Sequence, residues 1–167
     1  ALTGHAARRI TAMTALGNDY SPIGEMLDER AFVNGIVGLH ATGGSTNHTL
    51  HLVAMARAAG IDLTWADMAD LSDVVPLLCR IYPNGLADVN HFQAAGGMAF
   101  LIRELLAEGL LHDDVRTAVG DGGLKAYASE PFLDGDRLVW RDGPVSSGDA
   151  SILAPAAKPF SPNGGLK

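Results

Sequence analysis

The sequence predicts an α/β chain, helix-rich over residues 1–117 and Gly/Pro-rich over residues 118–167, the second part being a hairpin and an extended connector. Three observations carry this. Apolar residues recur at helical spacing in several stretches before residue 117, and glycine closes three of them. One short run, residues 74–82, is aliphatic and β-branched, as a buried strand would be. Glycine and proline make up about a quarter of residues 118–167, near the level at which a segment stops resembling packed domain.

The elements follow in chain order. Residues 3–16 read as a helix rich in Ala and Arg, ended by Gly17-Asn18. Ser21-Pro22 opens a second helix through Ile23, Met26 and Leu27, with proline where its missing N–H costs nothing. A third covers residues 31–39. Gly43-Gly44 then leads through Ser45-Thr46-Asn47 into an Ala-rich helix stopped by Gly60. That helix is apolar nearly all round, which places it deep in a core. Thr64 is a good N-cap for residues 65–71, with Asp67 at the capping-box position. The strand 74–82 must have Pro76 near its start. After Gly96-Gly97, residues Met98, Leu101, Ile102, Leu105 and Leu106 form one helical stripe, Arg103, Glu104 and Glu108 face away, and Gly109 ends the helix. Residues 137–140, between Asp134-Gly135 and Asp142-Gly143, read as a hairpin strand. Residues 158–165 read as an extended linker. The low apolar content of the last fifty residues makes them the expected mobile part, with Phe160 and Trp140 as anchors.

Composition excludes several functions. The chain has 167 residues and a net charge of −7, which argues against nucleic acid as a partner, since that needs a basic face. It leaves room for a small anionic substrate. Cys79 is the single cysteine, so the chain alone offers neither a disulfide framework nor the thiols of an iron–sulfur cluster. No apolar run approaches the roughly 20 residues that cross a bilayer. No signal-peptide pattern opens the sequence, and a cytoplasmic location is expected. The absence of an initiating Met suggests a piece of a longer protein.

Two stretches could meet a ligand. Gly43, Gly44, Ser45, Thr46 and Asn47 form a glycine-led turn into a helix N-terminus. Such a turn presents backbone N–H groups to a phosphate or carboxylate, and equally makes an ordinary cap. No Lys follows the glycines, so it is not a Walker loop. Asp88, Asn90, His91, Gly96 and Gly97 belong to a polar stretch that either lines a pocket or simply joins a strand to a helix. His48 and His51, one turn apart with His40 or His91 near, are better read as packing and surface histidines than as a metal site, since no carboxylate completes the set. There is no nucleophile elbow, and Cys79 in an apolar run reads as an inert thiol.

The stretch Ala31-Phe32-Val33-Asn34-Gly35-Ile36-Val37-Gly38-Leu39-His40-Ala41-Thr42-Gly43-Gly44-Ser45-Thr46-Asn47 resembles the core of the dihydroxy-acid/phosphogluconate dehydratase family. Ala87-Asp88-Val89-Asn90-His91-Phe92-Gln93-Ala94-Ala95-Gly96-Gly97-Met98 resembles its phosphogluconate branch, and residues 158–166 are similar to that branch's passage into a second domain. The resemblance implies the later part of the family's N-terminal helix-rich α/β domain (residues 1–117), then a hairpin and connector (118–167) towards a C-terminal domain absent from this sequence. It implies elimination of water from a small anionic sugar acid. For 6-phospho-D-gluconate the product is 2-keto-3-deoxy-6-phosphogluconate, the committed step of the Entner–Doudoroff pathway. It further implies an iron–sulfur cluster and magnesium in a longer parent, expected to be a homodimer. The family's cluster cysteines, magnesium ligands and base match no position here, so the piece itself is expected to bind neither group and to be inactive. The 43–47 and 88–97 stretches are the expected substrate contacts. The alternatives are another dihydroxy-acid or sugar-acid dehydratase, or a non-catalytic structural or dimerisation module.

Overall fold

The computed structural model describes residues 1–120 and 122–164. Six α-helices precede one antiparallel hairpin among these residues. α1 (Leu2–Ala12) buries none of its residues. It stops short of residue 16 because the Thr11 and Thr14 hydroxyls donate to the carbonyls of Arg8 and Thr11, which competes with the helical ladder. The second expected helix is only a 3₁₀ turn, Ile23–Glu25. It has no room to grow, since Asp28 already caps α2 (Glu29–Thr42) by accepting the Ala31 N–H at 2.9 Å.

α3 (Thr46–Ala58) has the expected span but not the expected burial: only Thr49, Leu52 and Ala56 are buried. It lies against α2 with one narrow stripe, and Leu50 and Met55 face outwards. α4 (Trp65–Val74) starts from a full capping box between Thr64 and Asp67. The expected strand 74–82 does not form. Val74 closes α4, and the residues after it make a buried, extended strap with isolated pairings of Leu77 to Ser161 and Cys79 to Leu153. Arg80 N–H donates to Ile152 O at 2.8 Å, and Phe160 N–H to Leu77 O at 2.9 Å. Pro155 and Pro159 interrupt the pairing segment, and proline cannot donate to a ladder.

The polar stretch after residue 88 is mostly helical: α5 (Val89–Ala95), followed at once by α6 (Gly97–Ala107). Gly96 and Gly97 both have positive φ, 137° and 58°, which lets the chain reverse between the two helices. The α6 stripe is buried at Leu101, Ile102 and Leu105, but Met98 at its start is exposed. β1 (Ser129–Asp134) and β2 (Arg137–Asp142) pair with Asp134 opposite Arg137 across Gly135-Asp136, as the Asp-Gly signal predicts.

Two cores result. One joins Val37, Ala41, Leu78, Cys79, Phe92, Phe100, Leu101, Leu105 and Leu153; the other joins Phe32, Ile36, Leu39, Leu52, Ala56 and Met68. α2 contributes to both. Residues 158–164, expected from their composition as an extended linker, are bonded to the strap and to α4. Of the two expected anchors of the last fifty residues, Phe160 docks under the Arg80 guanidinium and Trp140 is exposed, while Leu153 and Ala154, not expected as anchors, are buried. No helix among the described residues is long and apolar enough to cross a membrane.

Candidate functional site

The C-terminus of α2 and the start of α3 form the first half of the candidate site. Gly43 takes the left-handed conformation, φ 61° and ψ 43°, and turns the chain out of α2. A side chain there would meet the Asn84 amide at 2.6 Å and Leu77 at 2.9 Å. Ser45 is the N-cap of α3, and its Oγ accepts the Asn47 N–H at 3.2 Å. Its hydroxyl therefore does the work of a cap, while the side chains of Thr46, Asn47 and His48 are exposed beyond it.

The second half is the start of α5. Asp88 Oδ1 accepts the N–H groups of Asn90 (2.9 Å) and His91 (3.1 Å). The His91 Nδ1 is 2.8 Å from the same oxygen. The same Nδ1 lies 3.3 Å from the Asp88 backbone nitrogen, whose N–H it accepts in the capping box, so it faces both a donor and an acceptor of Asp88. The His91 backbone bond, above all, holds the Asp88 carboxyl below the usual carboxylate range. Asp149 stands near enough to feel the His91 ring, and its carboxyl is also held low, chiefly by the Ser151 hydroxyl.

The turn 82–87 links the two halves. Asn84 packs on Gly43 and donates to Cys79 O at 2.9 Å, and Tyr82 N–H donates to Ala87 O, the residue before Asp88. Gly96 and Gly97 are not brought to the same place. They sit at the far end of α5, about 10 Å along its axis, where Phe100, Leu153 and Gln93 fill the space around them. Asn84 was not singled out from the sequence. His48 and His51 are exposed on α3 whereas His40 is buried, and among the described residues no three His, Cys, Asp or Glu side chains converge to hold a metal ion. A groove of about 820 Å³ lies elsewhere, between α1 and the hairpin. Leu2, Leu138 and Trp140 line it, none of the candidate residues does, and its apolar walls do not suit a polyhydroxy acid.

This arrangement, a glycine-led turn and the capped start of α5 joined by the turn 82–87, occurs in a chain whose relatives are dehydratases. Residues 1–125 match the profile described as dihydroxy-acid/6-phosphogluconate dehydratase N-terminal, and the chain belongs to that family. It is 64% identical to a phosphogluconate dehydratase of Rhizobium meliloti over the whole chain, and 61% identical to that of Pseudomonas aeruginosa over 99% of it. A dihydroxy-acid dehydratase of Acaryochloris marina is 38% identical over 77% of the chain. The chain spans 28% of the length of the first of these relatives, 27% of the second and 24% of the third.

Proposed function

We propose that the chain is a segment of a hydro-lyase that dehydrates 6-phospho-D-gluconate to 2-keto-3-deoxy-6-phosphogluconate, the Entner–Doudoroff step. The observation that carries this is the identity gradient: 60–64% with three phosphogluconate dehydratases across essentially the whole chain, against 38% over a shorter stretch with a dihydroxy-acid dehydratase. On this reading residues 1–117 belong to the N-terminal domain of a longer cytoplasmic, homodimeric enzyme, and residues 118–167 lead towards a further domain. Thr46, Asn47 and His91, with the backbone of Ser45, hold the hydroxyl and anionic groups of the sugar acid, and Gly43 and Gly44, whose N–H groups bond the carbonyls of His40 and Leu39, shape the turn that presents them. Asp88 and Asn90 shape the start of α5, and Gly96 and Gly97 set its direction.

The longer enzyme uses an iron–sulfur cluster and magnesium, which supply Lewis acidity at the leaving hydroxyl and a hold on the carboxylate. The described residues of this chain do not fit the cluster. Cys79 is the single thiol, it is fully buried, and burial pushes its pKa up to about 12, which disfavours the thiolate a cluster needs. No step through either group is assigned to these residues.

Two measurements test the reading. The 167-residue chain should not convert 6-phosphogluconate to a keto acid, and turnover by it would show that the chemistry resides here. In a full-length phosphogluconate dehydratase carrying this segment, the change Asn47→Ala should lower kcat/KM while leaving Tm unchanged. A variant that melts earlier but turns over normally would make the 43–47 turn a cap alone.

A further inference from the structure

His40 is a buried titratable group that the proposed chemistry does not use. It lies in the last turn of α2 and is 2% exposed. Its Nε2 is 3.0 Å from the carbonyl oxygen of Met68 in α4. A carbonyl only accepts, so Nε2 carries the proton and the neutral ring presents a bare lone pair at Nδ1. That Nδ1 is buried without a hydrogen-bond partner among the described residues.

Gly164 lies over the ring. A side chain at Gly164 would stand 3.0 Å from Nδ1 and 2.9 Å from the His40 Cβ, so backbone and imidazole are in contact. The Gly164 N–H donates to Ser72 O at 2.8 Å, one turn beyond Met68 on α4. One ring thus touches α2, α4 and the 160–164 segment together.

We propose that His40 is an acid-sensitive clasp: its neutral ring holds the 160–164 segment against α2 and α4, and protonation releases that segment. Protonation would place an N–H at Nδ1 with no acceptor, and a charge with no counter-ion, among the described residues. The neighbours one turn away along the chain (Ile36 and Val37 in α2, Gly43 and Gly44 just beyond it) carry no charge. Neither do Met68, Leu71 and Ser72 on α4, nor Ser161, Asn163 and Gly164. The acidic residues of α4, Asp67, Asp70 and Asp73, are exposed, and Asp67 is engaged with Thr64. Burial accordingly holds the His40 pKa below its ordinary 6.5. The clasp is therefore closed above that ordinary value and weakens as pH falls beneath it. The segment yields before the helices do. Residues 161–164 place no side chain in either core, whereas α2 contributes to both.

The test is amide hydrogen exchange of the 167-residue chain at pH 7.5 and 5.5, corrected for the intrinsic pH dependence of exchange. Protection of the Gly164 and Phe160 amides should fall several-fold at the lower pH, while the Phe100 amide of α6 keeps its protection. In His40→Gln, which retains a donor without a titrating ring, the drop should vanish; His40→Leu serves if the Gln variant does not fold. Unchanged protection in the wild type, or an equal drop in the variants, overturns the proposal. So does a His40 ring titration by NMR that falls at or above the ordinary histidine value.

Discussion

At position 43 a side chain has nowhere to go. The left-handed backbone alone costs an L-residue about 1–2 kcal/mol, and here the Asn84 amide and Leu77 occupy the Cβ position as well. Gly60 is the internal control, with φ 79° and nothing within 4 Å of an added Cβ. Gly60→Ala should lose about 1 kcal/mol of stability, and Gly43→Ala distinctly more, read from urea midpoints. Equal losses would mean that Asn84 and Leu77 yield freely. A second residue-scale outcome concerns Cys79. With its thiol pushed up to about 12 by burial, roughly one molecule in ten thousand is thiolate at pH 8 by that value. Native protein should therefore resist alkylation at pH 8, and denatured protein should react fully. Rapid native labelling would show that the strap over Cys79 opens often. Gly43 was legible in the sequence as a turn glycine, because a Gly-Gly pair before capping residues is a local signal. Its partner Asn84 was not, since the contact spans about forty positions.

Each helix that was read correctly carries its boundary within a few residues. α4 is the clearest: Thr64 Oγ1 accepts the Asp67 N–H, and Asp67 Oδ2 accepts the Thr64 N–H at 2.8 Å. Thr64→Ala should cost about 1 kcal/mol. The Thr64 hydroxyl, first among the causes, holds the Asp67 carboxyl below its ordinary 3.8. A depressed carboxyl stabilises the fold above the unfolded-state pKa and loses that effect as pH falls through the folded-state value. The stability gap between wild type and Asp67→Asn should thus be present at pH 7 and close below pH 4, as followed by denaturant midpoints at several pH values. A gap that persists unchanged in acid would assign the cap to packing instead of charge. Burial was less legible than boundary. The run from His48 to Ala59 is so uniformly Ala-rich that no face is marked, and only the presence of a single neighbour, α2, decides that Leu52 is inside and Leu50 outside. α5 was missed for the opposite reason. Its cap is Asp88 with His91 in the reciprocal role, an unusual choice for a capping box, and seven residues are too few to show a period.

On the scale of the whole chain, the two cores are tied together by α2 and closed by a strap, which composition reads as a strand, and a tail, which it reads as an extended linker. The strap residues 77–81 do have strand composition, but their partners are backbone groups of residues 152–161, a proline-broken segment that shows no side-chain period. Leu153 is the fully buried large side chain by which that segment enters the core, with Ile152 packed beside it. Leu153 pairs with Cys79 and stands 3.5 Å from where a Gly96 Cβ would be. Its Ala154 neighbour donates to Leu78 O at 2.8 Å. Truncating a buried leucine removes its transfer energy and leaves a cavity that relaxes only in part, about 2–5 kcal/mol. Leu153→Ala should therefore lower the unfolding midpoint sharply and loosen the whole of residues 148–161. Trp140 is the larger side chain of the same half of the chain, yet it is 54% exposed on β2. Trp140→Ala should change stability by about 0.5 kcal/mol or less, as surface positions do. Measured together by urea denaturation, a large loss at position 153 beside a small one at 140 makes the tail a structural part of this core. The reverse order would show that the hairpin, not the strap, anchors the last fifty residues.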